Sequence, residues 1–188
     1  MTQKFAFRKG FAIHKQNVTV YSQAIHIRRL AATGGIAMRI LIEKNLRKLT
    51  VLDGETAVFS CRVALGRMPV GAKEAEGDGR TPEGRYFLCL IKENGKYGRS
   101  LGLSYPNPED AQSAFQQGRI DETTLRNICL SHAEHRRPPW GSSMGGEIYI
   151  HEGGSHADWT QGCIALEKED MDHLFPLHSE IESVEIMP

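Results

Sequence analysis

The chain has 188 residues, of which 40 % are hydrophobic and 24 % charged; these globular proportions, in a length that suits one well-packed domain, exclude extended disorder. Its 23 basic and 23 acidic residues cancel to a formal net charge of +0, which excludes the electrostatic footprint of a dedicated nucleic-acid binder. No run of about 18 apolar residues occurs, so a membrane-spanning helix is excluded on length.

Residues 1–37 are basic and carry no sustained periodicity. Their most leader-like stretch, RRLAATGGIAM (28–38), is short, interrupted by glycines and followed at once by Arg39; it does not read as a signal peptide. Order begins at Met38. The expected division is therefore an upstream extension over 1–37, outside the native domain, and one domain over 38–188.

From Met38 the pattern is that of strands. Ile40 and Ile42 alternate with Leu41 and Glu43, Leu49 and Val51 with Lys48 and Thr50, and Asp53-Gly54 supplies a tight-turn dipeptide. Ala57, Phe59, Cys61 and Val63 then face one way, completing a three-stranded meander. The glycines and prolines of PVGAKEAEGDGRTPEGRYF enforce a long surface loop, and YFLCLI (86–91) predicts a central strand, apolar on both faces.

Helical spacing appears after Pro108, with Ala111, Ala114 and Phe115, and again after Asp121 as N-cap, with Leu125, Ile128, Cys129 and His132. Beyond the Gly/Pro-rich 136–146, EIYIH and CIAL read as strands and SVEIM as a last strand. Between them, Met171, Leu174 and Phe175 mark a helix stopped by Pro176, with EKED (167–170) at its acidic start. The predicted fold class is mainly β, a β-sandwich or bent mixed sheet with a few short inserted helices.

The four cysteines are far apart, without a CxxC pair, which argues against a disulfide framework and against structural zinc. Cys61 and Cys89 lie in strand-like runs and Cys129 on a helix stripe, the setting of inert buried thiols. Cys163 alone sits among small polar residues, twelve positions after the strand that ends at His151. It reads as a nucleophile, a metal ligand or a buried thiol. A nucleophilic thiol needs an imidazole or helix N-terminus nearby, and His151 fits that role. The missing side chain of Gly162 would let a substrate carbonyl approach, with the amides of Gly162 and Cys163 as an oxyanion hole. Cysteine and histidine so arranged imply acyl transfer.

These residues resemble the L,D-transpeptidases, whose catalytic domain carries a strand ending in His-x-Gly and then Ser/Thr-x-Gly-Cys with an apolar residue after it. Here the counterparts are His151-Glu152-Gly153 and Thr160-Gln161-Gly162-Cys163-Ile164. GDGRTPEGRYFL (77–88), LSYPN (103–107) and WGSSMGGEIYIHEG (140–153) extend the resemblance over roughly 38–175, in the family's order. It implies a β-rich domain acting in cell wall biogenesis and cell shape, where it cleaves the bond between a diamino acid and D-alanine in a peptidoglycan stem and passes the acyl group to an amine. Peptidoglycan stem peptides are the implied partners, carbapenem-type β-lactams the implied inhibitors, the cell wall the implied location, and no cofactor or metal is needed. Cys163 would be the nucleophile, His151 the proton acceptor and donor, and Thr160 a supporting hydroxyl. Two departures stand out: Ala165 where many members have arginine or asparagine, and Gln161 in place of a frequent histidine. A substrate carboxylate must then be anchored elsewhere, and hydrolysis, as an L,D-carboxypeptidase or amide hydrolase, stays open.

Blander readings accompany each residue. Thr160 also suits a turn hydroxyl bonding its own backbone. His151, His156 and Cys163 suggest a zinc site short of a fourth ligand. Arg80, Arg136, Arg137 and Trp140 are candidates to line a substrate groove with Gln161, although loop arginines are commonly solvated. A catalytically inert cell-wall-binding module is the competing class, and such a module would be free to lose His151 or Cys163; both are present.

Overall fold

Ile40 and Ile42 are fully buried on one face of the first strand, β1 (Met38–Glu43), which the alternation of its sequence requires. The structure, a computed structural model, describes residues 37–188; apart from Ala37, the expected extension lies outside the described residues. β2 (Lys48–Asp53) and β3 (Thr56–Arg62) follow as the meander, antiparallel and joined at Gly54, which turns with φ +59°. The last strand, β9 (Ile181–Met187), returns beside β1 in parallel and pairs on its other side with β4 (Gly84–Tyr86). The first sheet thus has the order β3-β2-β1-β9-β4.

A second, four-stranded sheet is ordered β5 (Leu88–Gly95), β6 (Gly98–Leu103), β7 (Tyr149–Glu152), β8 (Ile164–Leu166). The chain is mainly β, as expected, with α1 (Pro108–Gln116) and α2 (Glu122–Ala133) inserted between β6 and β7, and α3 (Lys168–Leu174) before a 3-10 turn at Phe175–Glu180. Asp121 caps α2 by accepting from the Thr124 amide at 2.8 Å. α3 ends at Leu174, so Phe175 and Pro176 lie in the 3-10 turn rather than on the helix.

Three expectations are corrected. The apolar run 86–91 is not one central strand. It leaves the first sheet after Tyr86 and enters the second at Leu88, so its two apolar faces belong to different layers, and β5 is an edge strand. β6 was missing from the sequence pattern because Gly98 and Gly102 dilute its β-propensity. In β3 the register shifts opposite Val51/Leu52, which turns Ala57 out to solvent while Phe59 and Cys61 stay half-buried.

The buried Lys44, just beyond β1, ties the 71–83 loop to the first sheet. Its ammonium donates to Gly71 O (2.6 Å), Thr81 O (3.0 Å) and Glu83 Oε1 (2.7 Å), using all three donors. Lys44→Met is expected to strand a carboxylate and two carbonyls and to destabilise the fold by about 3 kcal/mol in urea unfolding. A loss below roughly 1 kcal/mol would show that the loop holds without this anchor.

Candidate active site

β7 and β8 are parallel neighbours, with Ile150 opposite Ile164 and His151 opposite Ala165. Side chains alternate along a strand, so Cys163, two residues before Ala165, projects on the face of His151 and Tyr149. Its sulfur accepts from the Tyr149 amide at 3.4 Å and donates toward Glu147 O at 3.5 Å. The imidazole of His151 is buried, and its Nδ1 donates to Glu152 O at 2.5 Å, which leaves Nε2 as the unprotonated, accepting nitrogen. Tyr97 stacks on the ring (4.9 Å, 21°) and Trp159 meets it edge-on (5.7 Å). Behind it, Arg99 binds Glu152 at 2.7 Å and also Asp172, so the residue whose carbonyl orients His151 is itself held.

The turn into Cys163 is built on Thr160. Its buried hydroxyl donates to Cys163 O at 2.7 Å and accepts from the Gly162 amide at 3.1 Å. The backbone of Thr160 is bonded to Leu65 and Arg67, and Asp158 joins the same loop to Arg47 and to the Leu65 amide. Gly162 adopts φ +132°, and a Cβ there would lie 2.6 Å from Arg80 O. The sequence-based reason for this glycine is therefore corrected. The space beside its Cα is filled by protein, not left for a substrate, and its amide is bonded to Thr160, which takes it out of the expected oxyanion hole. Thr160→Val keeps the shape and removes the bridge, and is expected to destabilise the chain by about 2 kcal/mol, with Thr160→Ser recovering most of it. Equal urea midpoints for the Val and Ser variants would refute this.

Two cavities flank Cys163, and Glu147 lines both. The larger, about 450 Å³, is bounded by Lys73, Glu76, Trp140 and Gln161. The smaller, about 240 Å³, is bounded by Lys92, Lys96, Tyr97, Tyr149 and His151. Glu147 has a positive φ of 54°, which is rare for a side-chain-bearing residue and is found where chain geometry is over-determined at a site. Trp140 is fixed by its indole N–H to Tyr105 O (2.9 Å). Arg80 is not brought to either cavity. Its guanidinium turns into its own loop, toward Ala72 O and Glu74, while its carbonyl supports Gly162. Arg137 lies over the Trp140 ring at 4.9 Å, and Arg136 pairs with Glu134.

Burial sets the protonation of the pair. It pushes the Cys163 thiol up, beyond the lowering by the Tyr149 amide and Lys73, and it pushes the His151 imidazole down, against the opposing bond to Glu152. Both directions favour a neutral thiol and a neutral imidazole over a thiolate–imidazolium pair. Cys61 and Cys89 are also pushed up by burial, to about 12 and about 11, and neither lines either cavity. His156 is exposed and His132 bonds Ser104 O and Pro106 O. Among the described residues no three His, Cys, Asp or Glu side chains group as a metal site.

Sequence reasoning missed Lys73, Tyr97, Trp159 and the Arg99–Glu152–Asp172 chain. Lys73 is buried in the wall of the larger cavity, bonded to Ala75 O and Asp78 (both 2.8 Å). In sequence it is one lysine of a polar loop. Tyr97 sits in the β5–β6 hairpin, whose second strand Gly98 and Gly102 hide from the sequence pattern.

The family model described as YkuD, L,D-transpeptidase catalytic domain, matches residues 37–186. Among solved structures, the helical cell shape determining protein Pgp2 of Campylobacter jejuni, as its K307A mutant, is 25% identical, with a TM-score of 0.57 over 80% of this chain and 46% of that one. Another structure of Pgp2 from the same organism is 20% identical, with a TM-score of 0.55 over 90% of this chain and 54% of that one. The chain therefore spans about half the length of these structures. Among curated proteins none is similar enough to count as a match.

Proposed function

The chain belongs to the L,D-transpeptidase catalytic domain family, and from that premise we propose that it is a cysteine acyltransferase acting on peptidoglycan stem peptides. The observation that carries the reading is the placement of Cys163 between two cavities, with His151 in the wall of one of them. An acyl transfer needs room on both sides of the nucleophile, for the acyl chain and for the amine that leaves or enters.

Nε2 of His151 takes the thiol proton as the sulfur attacks the carbonyl between the diamino acid and D-alanine. The C–S bond forms, and the oxyanion is met by the Cys163 amide. The C–N bond then breaks as the imidazolium returns its proton to the departing amine. In the second half an acceptor amine attacks the thioester, gives its proton to His151 and displaces the thiolate, which is reprotonated. Water in the place of the amine gives the L,D-carboxypeptidase outcome.

The supporting geometry is the chain of fixed groups around the pair. Glu152 O sets the imidazole tautomer, Arg99 holds Glu152, and Thr160 holds the Cys163 turn. Trp140 and Gln161 are proposed to line the acyl-chain side, and Arg80 to act through its carbonyl on Gly162 alone. Action in the cell wall is part of the proposal. Among the described residues no helix is long and apolar enough to cross a membrane. Pgp2 is described as determining helical cell shape; a part in cell shape is proposed for this chain on that likeness.

Intact mass after incubation with a carbapenem tests the first half, because the strained β-lactam is an acyl donor whose leaving nitrogen stays tethered to the acyl group after ring opening. A tetrapeptide stem supplied with and without an acceptor amine tests the second: a cross-linked product marks transfer, and tripeptide alone marks hydrolysis. A folded protein that forms no adduct and leaves the tetrapeptide intact would overturn the proposal.

A further inference from the structure

We propose that the smaller cavity is a carboxylate-reading subsite, in which Lys92 and Lys96 hold the α-carboxylate of the amino acid whose amine leaves or enters at Cys163. The inference rests on the acyl-transfer reading above and assigns the amine partner to one side of the nucleophile.

Proton traffic fixes the side. The imidazole must hand its proton to the departing nitrogen and take one from the entering nitrogen, so both amines approach from the direction of His151. His151 lines the smaller cavity and not the larger. By microscopic reversibility the leaving and entering amines use the same space, and the acyl chain uses the other. Size agrees, since about 240 Å³ suits one amino acid and about 450 Å³ a longer peptide arm.

Charge separates the two in the same sense. Lys92 Nζ stands 4.6 Å from the centroid of the Tyr149 ring and Lys96 Nζ 5.1 Å from that of Tyr97. The aromatic faces orient these ammonium groups without neutralising them, and among the described residues neither pairs with a carboxylate. Tyr149 Oη is buried and, among the described residues, has no hydrogen-bond partner. In the larger cavity Lys73 is already neutralised by Asp78 and Glu76 adds negative charge, while Glu147 borders both cavities and does not distinguish them. A carboxylate is thus favoured on the His151 side and disfavoured on the other. Ala165, opposite His151, is fully buried and brings no cation.

The test compares a tetrapeptide ending in D-alanine with its C-terminal amide, for the wild type and for the Lys92→Gln/Lys96→Gln double variant. The wild type is expected to favour the free acid by about tenfold in kcat/KM, and the double variant to discriminate by less than about twofold. Arginine at both positions is expected to restore the preference, which a merely structural role for the lysine stems would not do. An unchanged preference in the double variant would overturn the assignment. A second measurement needs no turnover: chemical-shift titration of Cys163→Ala protein with N-acetyl-D-alanine and with its amide. Tighter binding of the acid, lost with the lysines, supports the subsite; equal binding of both, or binding indifferent to the lysines, refutes it. If the wild type forms no adduct and cleaves no stem peptide, the acyl-transfer reading falls, and the titration still decides the subsite.

Discussion

Replacing Cys163 by alanine is expected to remove the carbapenem adduct completely and to lower turnover of a tetrapeptide stem by at least about 10⁴-fold, roughly 5.5 kcal/mol of barrier. The size follows from the chemistry, because without the sulfur there is no thioester and only the cavities and the Cys163 amide remain to act on the substrate. The remaining cysteines cannot substitute. None lines either cavity, and burial pushes the Cys61 and Cys89 thiols up, to about 12 and about 11. Intact mass of wild type and variant, with unfolding midpoints as a control, gives the answer in one experiment. An adduct persisting on the alanine variant would assign the nucleophile elsewhere.

His151→Asn is expected to cost about 10²- to 10⁴-fold in the acylation rate, the usual contribution of a positioned proton carrier. The pH profile is the sharper result. Burial lowers the imidazole, so the base stays neutral to below the ordinary value of about 6.5, and the acid limb of kcat/KM should fall below that pH. Burial raises the thiol, so its proton stays on above the ordinary value of about 8.5, and the alkaline limb should lie higher still. The wild type should therefore show a wide plateau, with proton transfer coupled to attack. A preformed thiolate–imidazolium pair would give the opposite signs. Thiolate absorbance or alkylation appearing near neutral pH in the wild type would refute the neutral-pair picture.

Much of the architecture was legible because local chemistry sufficed. The alternation of Ile40 and Ile42, the Gly54 turn and the Asp121 cap each express an interaction between residues a few positions apart. The central strand expected at 86–91 failed for the converse reason. An apolar run records that both faces are covered, not which layer covers them, and here the chain changes sheets at Phe87. β6 was lost because two glycines weaken a strand whose pairing with β5 and β7 makes up the difference.

The site divides along the same line. The sequence determined the reactive types and their spacing: Cys163 and His151 near the ends of two strands, and Thr160 and Gly162 in the turn between them. These are short-range facts about one stretch of chain. Only the tertiary structure decided what surrounds them. It turned the Arg80 side chain away and used its carbonyl to require Gly162. It buried Lys73 in one wall, laid Tyr97 and Trp159 on His151, and placed Lys92 and Lys96 in one cavity with Cys163. Most of these contacts join segments tens of residues apart, such as Arg80 with Gly162 and Tyr97 with His151. The desolvation that lowers His151 and raises Cys163 likewise arises from residues packed around them after folding, so it has no counterpart in the local pattern of the chain.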